Sequence, residues 1–402
     1  MKQTDDMSMK RNLPNKKIFI FDLLDNSGGH YSLLQKHVDK MISPFNLTKV
    51  FLFGYKRNKI KLENIKFIPK FIPKKIIEGN FLKKFRRKFL NFLIVLYNVM
   101  ATATKIITQK PSIILFLSCE ELFLPLLVTI SKRYGKVGIF VHYLSSSKSL
   151  LAKLRRKKMI SSIKKCDIIV VRENYIKDYL NVEIGIPKNK IIILPHIPGF
   201  IINKTTKETN SDDKKKRITI SFVGQIREDK GIFFLIEALK SLHIKKKTLE
   251  SIFKISGEPT SQNIYKKILR LSSEIPNLTL NLNPLNEEKY LMELLSADII
   301  VLPYKKDFGE GRLSGPLFDA IFCGKPILAP DFGIFRHYVE KYKIGWLFKA
   351  ENSLSLADLL IKLNGNHEEI LQIKKNAINL KNELSTKWKY ENFSHQFKKL
   401  LS

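Results

Sequence analysis

Short apolar runs rich in β-branched and aromatic residues alternate with helical stretches along almost the whole of this 402-residue chain, which leaves few architectures open. IFIFDLL (18–24) stops at the breaker cluster Asp25-Asn26-Ser27-Gly28-Gly29, and SLLQKHVDKM follows with helical spacing. KVFLFGY (49–55), PSIILFLS (111–118), KVGIFVHYL (136–144), CDIIVVRE (166–173) and KIIILP (190–195) read as further buried strands. Helical stretches separate most of them, notably 119–133, 149–164 and 174–181. Strands alternating with helices argue for an α/β protein with a parallel sheet wrapped on both faces.

Residues 198–216 interrupt the pattern: they are polar, charged and without apolar periodicity, and read as a linker. The alternation then restarts. RITISFVG (217–224), SIFKISG (251–257), LTLNLN (278–283), ADIIVLPY (297–304), KPILAP (325–330) and GWLF (345–348) are the strands. Helices fall near 230–243, 261–274, 287–296, 315–323, 333–341 and 353–363, with helical sequence again from about 367. The chain thus divides into a polar, unordered tail (1–14), a doubly wound domain (15–197), the linker (198–216), a second doubly wound domain (217–384) and a packing helix (385–402) carrying Trp388, Tyr390, Phe393 and Phe397. Two such domains in series are expected to leave a cleft, and ligands of open α/β sheets bind beyond the carboxyl ends of the strands.

A 44% hydrophobic content excludes a mostly disordered chain. Cys119, Cys166 and Cys323 are too scattered for a disulfide framework or a zinc site and point to a reducing compartment. No run of about 18 uncharged apolar residues is seen, so no transmembrane helix is expected. The N-terminus lacks the apolar core of a signal peptide.

Lys and Arg number 71 against 37 Asp and Glu, a formal charge of +34. Such an excess implies an acidic partner, although the Lys-, Ile- and Asn-rich composition contributes to it. Nucleic acid rests on charge alone: no zinc finger, helix-turn-helix or aromatic RNA-binding signature is present, and no nucleic-acid partner is expected. NFLKKFRRKFLNFLIVLYNVM (80–100) and LAKLRRKKMISSIKK (151–165) mix cations with apolar residues. They suit an anionic membrane surface; the alternative is core helices with solvated basic edges.

Two segments could carry chemistry. In SFVGQIREDKGIFFLIEAL (221–239), a strand ends at Gly224, and Arg227 and Lys230 stand beside a helix N-terminus, a combination that suits a diphosphate. The bland reading is a solvated charged turn. In ADIIVLPYKKDFGEGRLSGPLFDAIFCGKPILAPDFG (297–333), a loop with Glu310, Gly311, Arg312, Leu313, Ser314 and Gly315 leads into a helix. Asp319 lies one turn in, placed to accept hydrogen bonds from neighbouring hydroxyls or simply to favour the helix start.

The pieces FVGQIREDKG, ADIIVLPY and SGPLFDAIFCGKPILAPDFG, in this order and spacing, resemble the retaining glycosyltransferases of family four. The resemblance is strongest over about 217–348 and extends weakly to Gly28-Gly29 and VHY (141–143). It implies the GT-B fold: two Rossmann-like domains facing across a cleft, with the C-terminal helix crossing back to the first. It implies that Arg227, Lys230, Gly28, Gly29, Ser314 and Gly315 bind the donor diphosphate and that Gly311, Arg312 and Leu313 hold the donor sugar. Asp319 takes the ribose hydroxyls, and His142 and Glu310 act at the transferred sugar.

Three positions depart from the family pattern. Its paired glutamates have seven residues between them, but here the second is Asp319, the position eight before it is Gly311, and Glu310 is one residue out of register. The first cation comes two residues after Gln225 rather than directly after the glycine. Pro195-His196-Ile197 stands where Pro-Asn-Gly is common.

The implied activity is transfer of a sugar from a nucleotide-diphosphate donor to a glycan or lipid-linked acceptor, with retention, in cell-surface polysaccharide synthesis. It needs no cofactor and no metal, and it is placed in the cytoplasm, peripheral at the inner face of the cell membrane. The alternative is a catalytically inactive relative that binds a glycan or a membrane-assembly partner.

Overall fold

The computed structural model describes residues 16–23, 49–54, 66–69, 81–119, 121–141, 150–194, 217–244 and 250–387. The tail 1–14, Gly28-Gly29, His142, Pro195-His196-Ile197, the linker 198–216 and the chain beyond Lys387 lie outside the described residues. The chain divides into two compact units, the first built on residues up to Ile197 and the second running Pro198–Lys387.

The first unit holds a parallel sheet of β1 (Ile18–Asp22), β2 (Val50–Gly54), β3 (Lys66–Pro69), β4 (Ile113–Ser118), β5 (Lys136–Phe140), β6 (Ile168–Val171) and β7 (Ile191–Ile193). Its strand order is β3-β2-β1-β4-β5-β6-β7. β1 and β4 are buried along their whole length, which is why IFIFD and IILFLS show no polar alternation. Phe21 stacks between Phe53 at 5.0 Å and Phe116 at 5.7 Å, tying three adjacent strands together. The described helices are α1 (Phe81–Gln109), α2 (Leu124–Ser131), α3 (Leu150–Lys165) and α4 (Asn174–Val182).

The second unit repeats the plan with β8 (Thr219–Val223), β9 (Ile252–Ser256), β10 (Leu278–Asn281), β11 (Ile299–Val301), β12 (Ile327–Pro330) and β13 (Gly345–Phe348). All pairings are parallel, in the order β10-β9-β8-β11-β12-β13. Its helices are α5 (Ile232–Ile244), α6 (Gln262–Ser272), α7 (Glu287–Ser296), α8 (Gly315–Phe322), α9 (Gly333–Tyr342), α10 (Ser353–Leu363) and α11 (His367–Lys387). Ile232, Leu235 and Ile236 of α5 meet Leu356 and Leu360 of α10 over Ile220, Phe222 and Ile255. In each sheet the strand order reverses once, at β1/β4 and at β8/β11, and these are the points where a crevice opens at the carboxyl ends.

An aspartate pins the start of a central strand in each unit. Asp167 Oδ2, just before β6, accepts from Val137 N of β5 at 2.8 Å, while its Oδ1 takes Lys132 Nζ at 2.6 Å. Asp298 Oδ2, just before β11, accepts from Thr219 N of β8 at 2.8 Å.

The alternating pattern anticipated the sheets, with two differences. β3 is a four-residue strand, KFIP, opening with an exposed lysine, and nothing in so short a run distinguishes it from a loop. α1 continues nine residues past the basic-apolar segment ending at 100. The extension ATATKIITQ is rich in β-branched residues that disfavour a helix, but its threonines bond back into the helix: Thr102 Oγ1 donates to Asn98 O at 2.7 Å and Thr108 Oγ1 to Thr104 O at 2.8 Å. This extension also corrects the expectation of no membrane-length segment: residues 89–109 form 21 residues of helix with mean hydropathy 1.6, long and apolar enough to cross a bilayer.

The Asp167 carboxyl is partly desolvated, which works against ionisation, yet the hydrogen bonds from Lys132 and Val137 and the charges of Lys132 and Lys190 hold it below the usual carboxylate range. Its contribution is therefore present above the unfolded-state pKa and is lost as pH falls through the depressed folded value. Asp167→Ala should lower stability to urea by about 1–2 kcal/mol at neutral pH. The gap to the parent protein should narrow in acid.

Candidate functional site

The site is built where the second sheet reverses its strand order. β8 ends at Val223, and Gly224 follows with a φ of 119°, in the region open to glycine. Lys230 Nζ, the Tyr290 ring and the Pro316 ring lie 3.7, 3.6 and 4.0 Å from where a Gly224 Cβ would stand, so a side chain here would fill the space they border. After Ile226, the chain makes a short 3-10 turn over Glu228–Lys230 and passes through Gly231 (φ 67°) into α5. A Cβ on Gly231 would sit 1.7 Å from the Pro303 carbonyl oxygen, so only glycine lets the loop after β8 close against the loop after β11.

That closure sinks Lys230 until it is 7% exposed. Burial, and then the Arg227 charge, push its ammonium down to about 8, with Asp229 and Asp319 pulling the other way. Arg227 makes a fork on Asp229, Nε to Oδ1 and Nη2 to Oδ2, both at 2.9 Å. Arg312 reaches the same carboxylate at 3.7 Å while its guanidinium covers the Phe308 ring at 4.7 Å. Its hydrogen bonds to Asp229 hold the Arg227 guanidinium protonated against the cost of its burial. Burial opposes ionisation of Asp229, but the Arg227 hydrogen bonds and the charges of Arg227, Arg312 and Lys230 prevail and lower its pKa. Three cations therefore converge on two carboxylates, leaving one positive charge in excess.

The opposite wall comes from the loop after β11 and from α8. Ser314 caps α8, its Oγ accepting from Leu317 N at 3.3 Å and donating to Tyr304 Oη at 3.1 Å. Its hydroxyl is thus taken up internally, and contact of Ser314 or Gly315 with an anion falls to backbone N–H groups at the helix start. Asp319 is buried, and its Oδ2 accepts from Tyr290 Oη at 2.7 Å. Burial and the Asp319 charge raise the Tyr290 phenol well above its ordinary value, so it stays a donor. The aromatic group of Tyr304, Phe308 and Phe335 supports the loop from below, with centroids 4.6 to 5.8 Å apart.

Arg227, Lys230, Arg312, Ser314, Gly315 and Asp319, singled out from sequence, thus fall on one set of touching elements. Gly311 is buried in the turn and Leu313 is half-buried. Glu310 is exposed, its backbone resting on Gly333 at the start of α9, and among the described residues it makes no ion pair or hydrogen bond with that cation group. Sequence reading passed over Asp229, Tyr290, Tyr304 and Gly231. Asp229 alone had a local signal, an acid two residues after the arginine in a lysine-rich chain; the tyrosines acquire their roles only through tertiary contact.

In the first unit, Asp22 and Ser118 meet where that sheet reverses its order. Both are buried, and Ser118 Oγ donates to Asp22 Oδ1 at 2.5 Å. Cys119 follows directly and is only partly covered, whereas Cys166 and Cys323 are buried.

Residues 203–380, within the second unit, match the family model described as Glycosyl transferases group 1. No curated protein matches the chain. Among solved structures, Alr3699/HepE from Anabaena in complex with UDP and glucose is similar at TM-score 0.64 and 14% identity, over 96% of this chain and 99% of that one. Sucrose-phosphate synthase from Thermosynechococcus elongatus is similar at TM-score 0.65 and 14% identity, over 96% and 98%. The lipopolysaccharide outer core galactosyltransferase WaaB, in its apo form, is similar at TM-score 0.63 and 14% identity, over 96% and 99%. These likenesses establish the fold as GT-B.

The Gly231 contact makes a direct prediction. Gly231→Ala must relieve a backbone clash and a left-handed φ together, and should cost about 2–4 kcal/mol of stability. Differential scanning calorimetry should show the loss, whereas Gly365→Ala, with nothing within 4 Å of its added Cβ, should show only the cost of its φ of 78°.

Proposed function

We propose that this protein transfers a sugar from a nucleotide-diphosphate donor to a glycan or lipid-linked acceptor, with retention of configuration, in cell-surface polysaccharide synthesis. The observation that carries the reading is the buried ammonium of Lys230, flanked by Arg227 and Arg312 at the carboxyl end of β8. A surplus of positive charge in a desolvated position at neutral pH suits a dianionic leaving group better than a neutral ligand. HepE was solved with UDP and glucose and TarM with UDP, and in this chain the donor is assigned to the crevice of the second sheet.

In this reading Lys230 and the donors of Arg227 not engaged by Asp229 meet the diphosphate, joined by the backbone N–H groups of Ser314 and Gly315, and Gly28 and Gly29 are assigned to the same group. Asp229 keeps the two arginines in place. Asp319, oriented by Tyr290, accepts from the ribose hydroxyls. Gly311, Arg312 and Leu313 border the donor sugar, and Glu310 and His142 are assigned to the transferring centre. As the anomeric carbon–oxygen bond breaks, charge grows on the diphosphate and is met by cations already fixed before reaction, so little reorganisation is required. Attack on the face the phosphate leaves gives retention, with the departing phosphate oxygen positioned to take the acceptor proton. The acceptor is assigned to the first unit, near Asp22 and Ser118, and the reaction to the cytoplasmic, inner face of the cell membrane.

One observation favours a second reading, a GT-B protein that binds without transferring. Gly311 is buried where the family resemblance expects a carboxylate, and Glu310 stands one residue away, exposed. Release of free nucleotide diphosphate from nucleotide sugars by the purified chain distinguishes the two: release supports transfer, and its absence together with binding of a glycan or a membrane-assembly partner supports the second reading.

Lys230→Met should weaken donor binding about 10–100-fold, the worth of a hydrogen bond to a charged group. In the parent protein, affinity should be level below pH 8 and fall as pH rises through about 8, because the ammonium is the binding form. That decline should be absent in Lys230→Met. Isothermal titration calorimetry across pH checks both.

A further inference from the structure

The first unit carries a surface that the donor site does not use. Among the described residues, eleven of the 19 exposed large apolar side chains lie on α1, α2, α3 and the turn before α2. On α1 they form a stripe: Phe89, Leu93, Tyr97, Met100 and Ile107 recur at helical spacing and are 43–62% exposed. The stripe continues an exposed Arg86. α1 packs on α2, with Phe92 and Phe123 rings 6.3 Å apart, and α2 packs on α3, extending the apolar face through Leu126 and Leu154. The right-handed crossovers β3–α1–β4, β4–α2–β5 and β5–α3–β6 put all three helices on one face of the sheet. Cations accompany the apolar side chains: α1 carries six Lys or Arg and α3 seven, and neither helix has an Asp or Glu.

We infer that the α1–α2–α3 face is a monotopic docking surface for an anionic phospholipid bilayer, with the α1 stripe seated at the acyl boundary and the flanking lysines and arginines among the headgroups. The inference deepens the membrane part of the reading above and rests on it for its biological sense, but its test does not depend on catalysis.

Three alternatives fail on structure, charge and burial. α1 is long enough to span a bilayer, but it is the crossover from β3 to β4, and β4 pairs with β1 in the same sheet as β3. A spanning α1 would put β4 across the membrane from its own partner. The helix also buries Val99, Thr102 and Ile106 on its other side, which lipid could replace only by dismantling the unit. A second copy is disfavoured because two chains of formal charge +34 would bring thirteen like charges per copy to the contact. A purely electrostatic partner such as nucleic acid would leave the apolar stripe in water.

The test is flotation of the full-length chain with phosphatidylcholine vesicles with and without phosphatidylglycerol. The parent protein should float with the anionic vesicles, more weakly at high salt, and poorly with phosphatidylcholine alone. The triple change Phe89→Ser, Leu93→Ser and Met100→Ser, all at exposed positions, should reduce anionic binding about tenfold or more while leaving nucleotide-sugar affinity unchanged. Phe89→Trp keeps the contact, and its added indole should be quenched by lipids brominated in the acyl chain. The inference is overturned if the triple variant floats like the parent, if the added indole is not quenched, or if sedimentation equilibrium shows a parent dimer that the triple change converts to monomer. Retained donor binding with lost flotation in the parent would reject this surface and leave the transfer reading standing.

Discussion

The carbonyl oxygen of Pro303 occupies the place where any side chain at position 231 would have to begin. Because residue 231 is glycine, the loop after β8 can lie against the loop after β11, and the candidate site follows from that approach. Lys230 is drawn below the surface, Asp229 comes within reach of an arginine from each loop, and the space beside Gly224 is bordered by residues of three separate elements. The arrangement stores unfavourable electrostatics in a folded protein. A buried ammonium next to a guanidinium is tolerated because two aspartates lie nearby, and it is the kind of unrelieved surplus that an anionic ligand would relieve.

The two units show how one architecture serves different ends. Each has a parallel sheet, a single reversal of strand order and an aspartate that pins a central strand. In the second unit the reversal gathers cations. In the first it gathers Asp22 and Ser118, while the cations lie on the helices outside the sheet. The formal charge of +34 is thus not one feature but at least two, a small desolvated group suited to phosphates and a broad solvated one mixed with apolar side chains.

Much of the fold was legible because buried parallel strands leave a plain trace: IILFLS or TISFV between breakers and helices has few other uses. β3 was not legible because an edge strand of four residues has no such trace, and the end of α1 was hidden by threonines whose backbone hydrogen bonds appear only once the helix exists. For the site, Arg227, Lys230 and Asp319 could be picked out as charges at strand and helix ends. The partners that orient them could not: Tyr290 lies 29 residues from Asp319, and nothing in NEEKYLMELL marks its phenol as the donor to a buried carboxylate. The loop acid was the least legible, since a shift of one residue between Glu310 and Gly311 exchanges an exposed position for a buried one.

The three thiols differ in a way that matters for anyone wishing to watch this molecule work. Burial, helped by Asp167 and Asp319 respectively, pushes Cys166 and Cys323 up to about 12, where the reactive thiolate is scarce at neutral pH. Cys119 is only partly covered and sits at the reversal point of the first sheet, next to Ser118 and Asp22. An alkylating dye would therefore attach chiefly there, giving the native sequence a single built-in fluorescent reporter beside the place assigned to the acceptor.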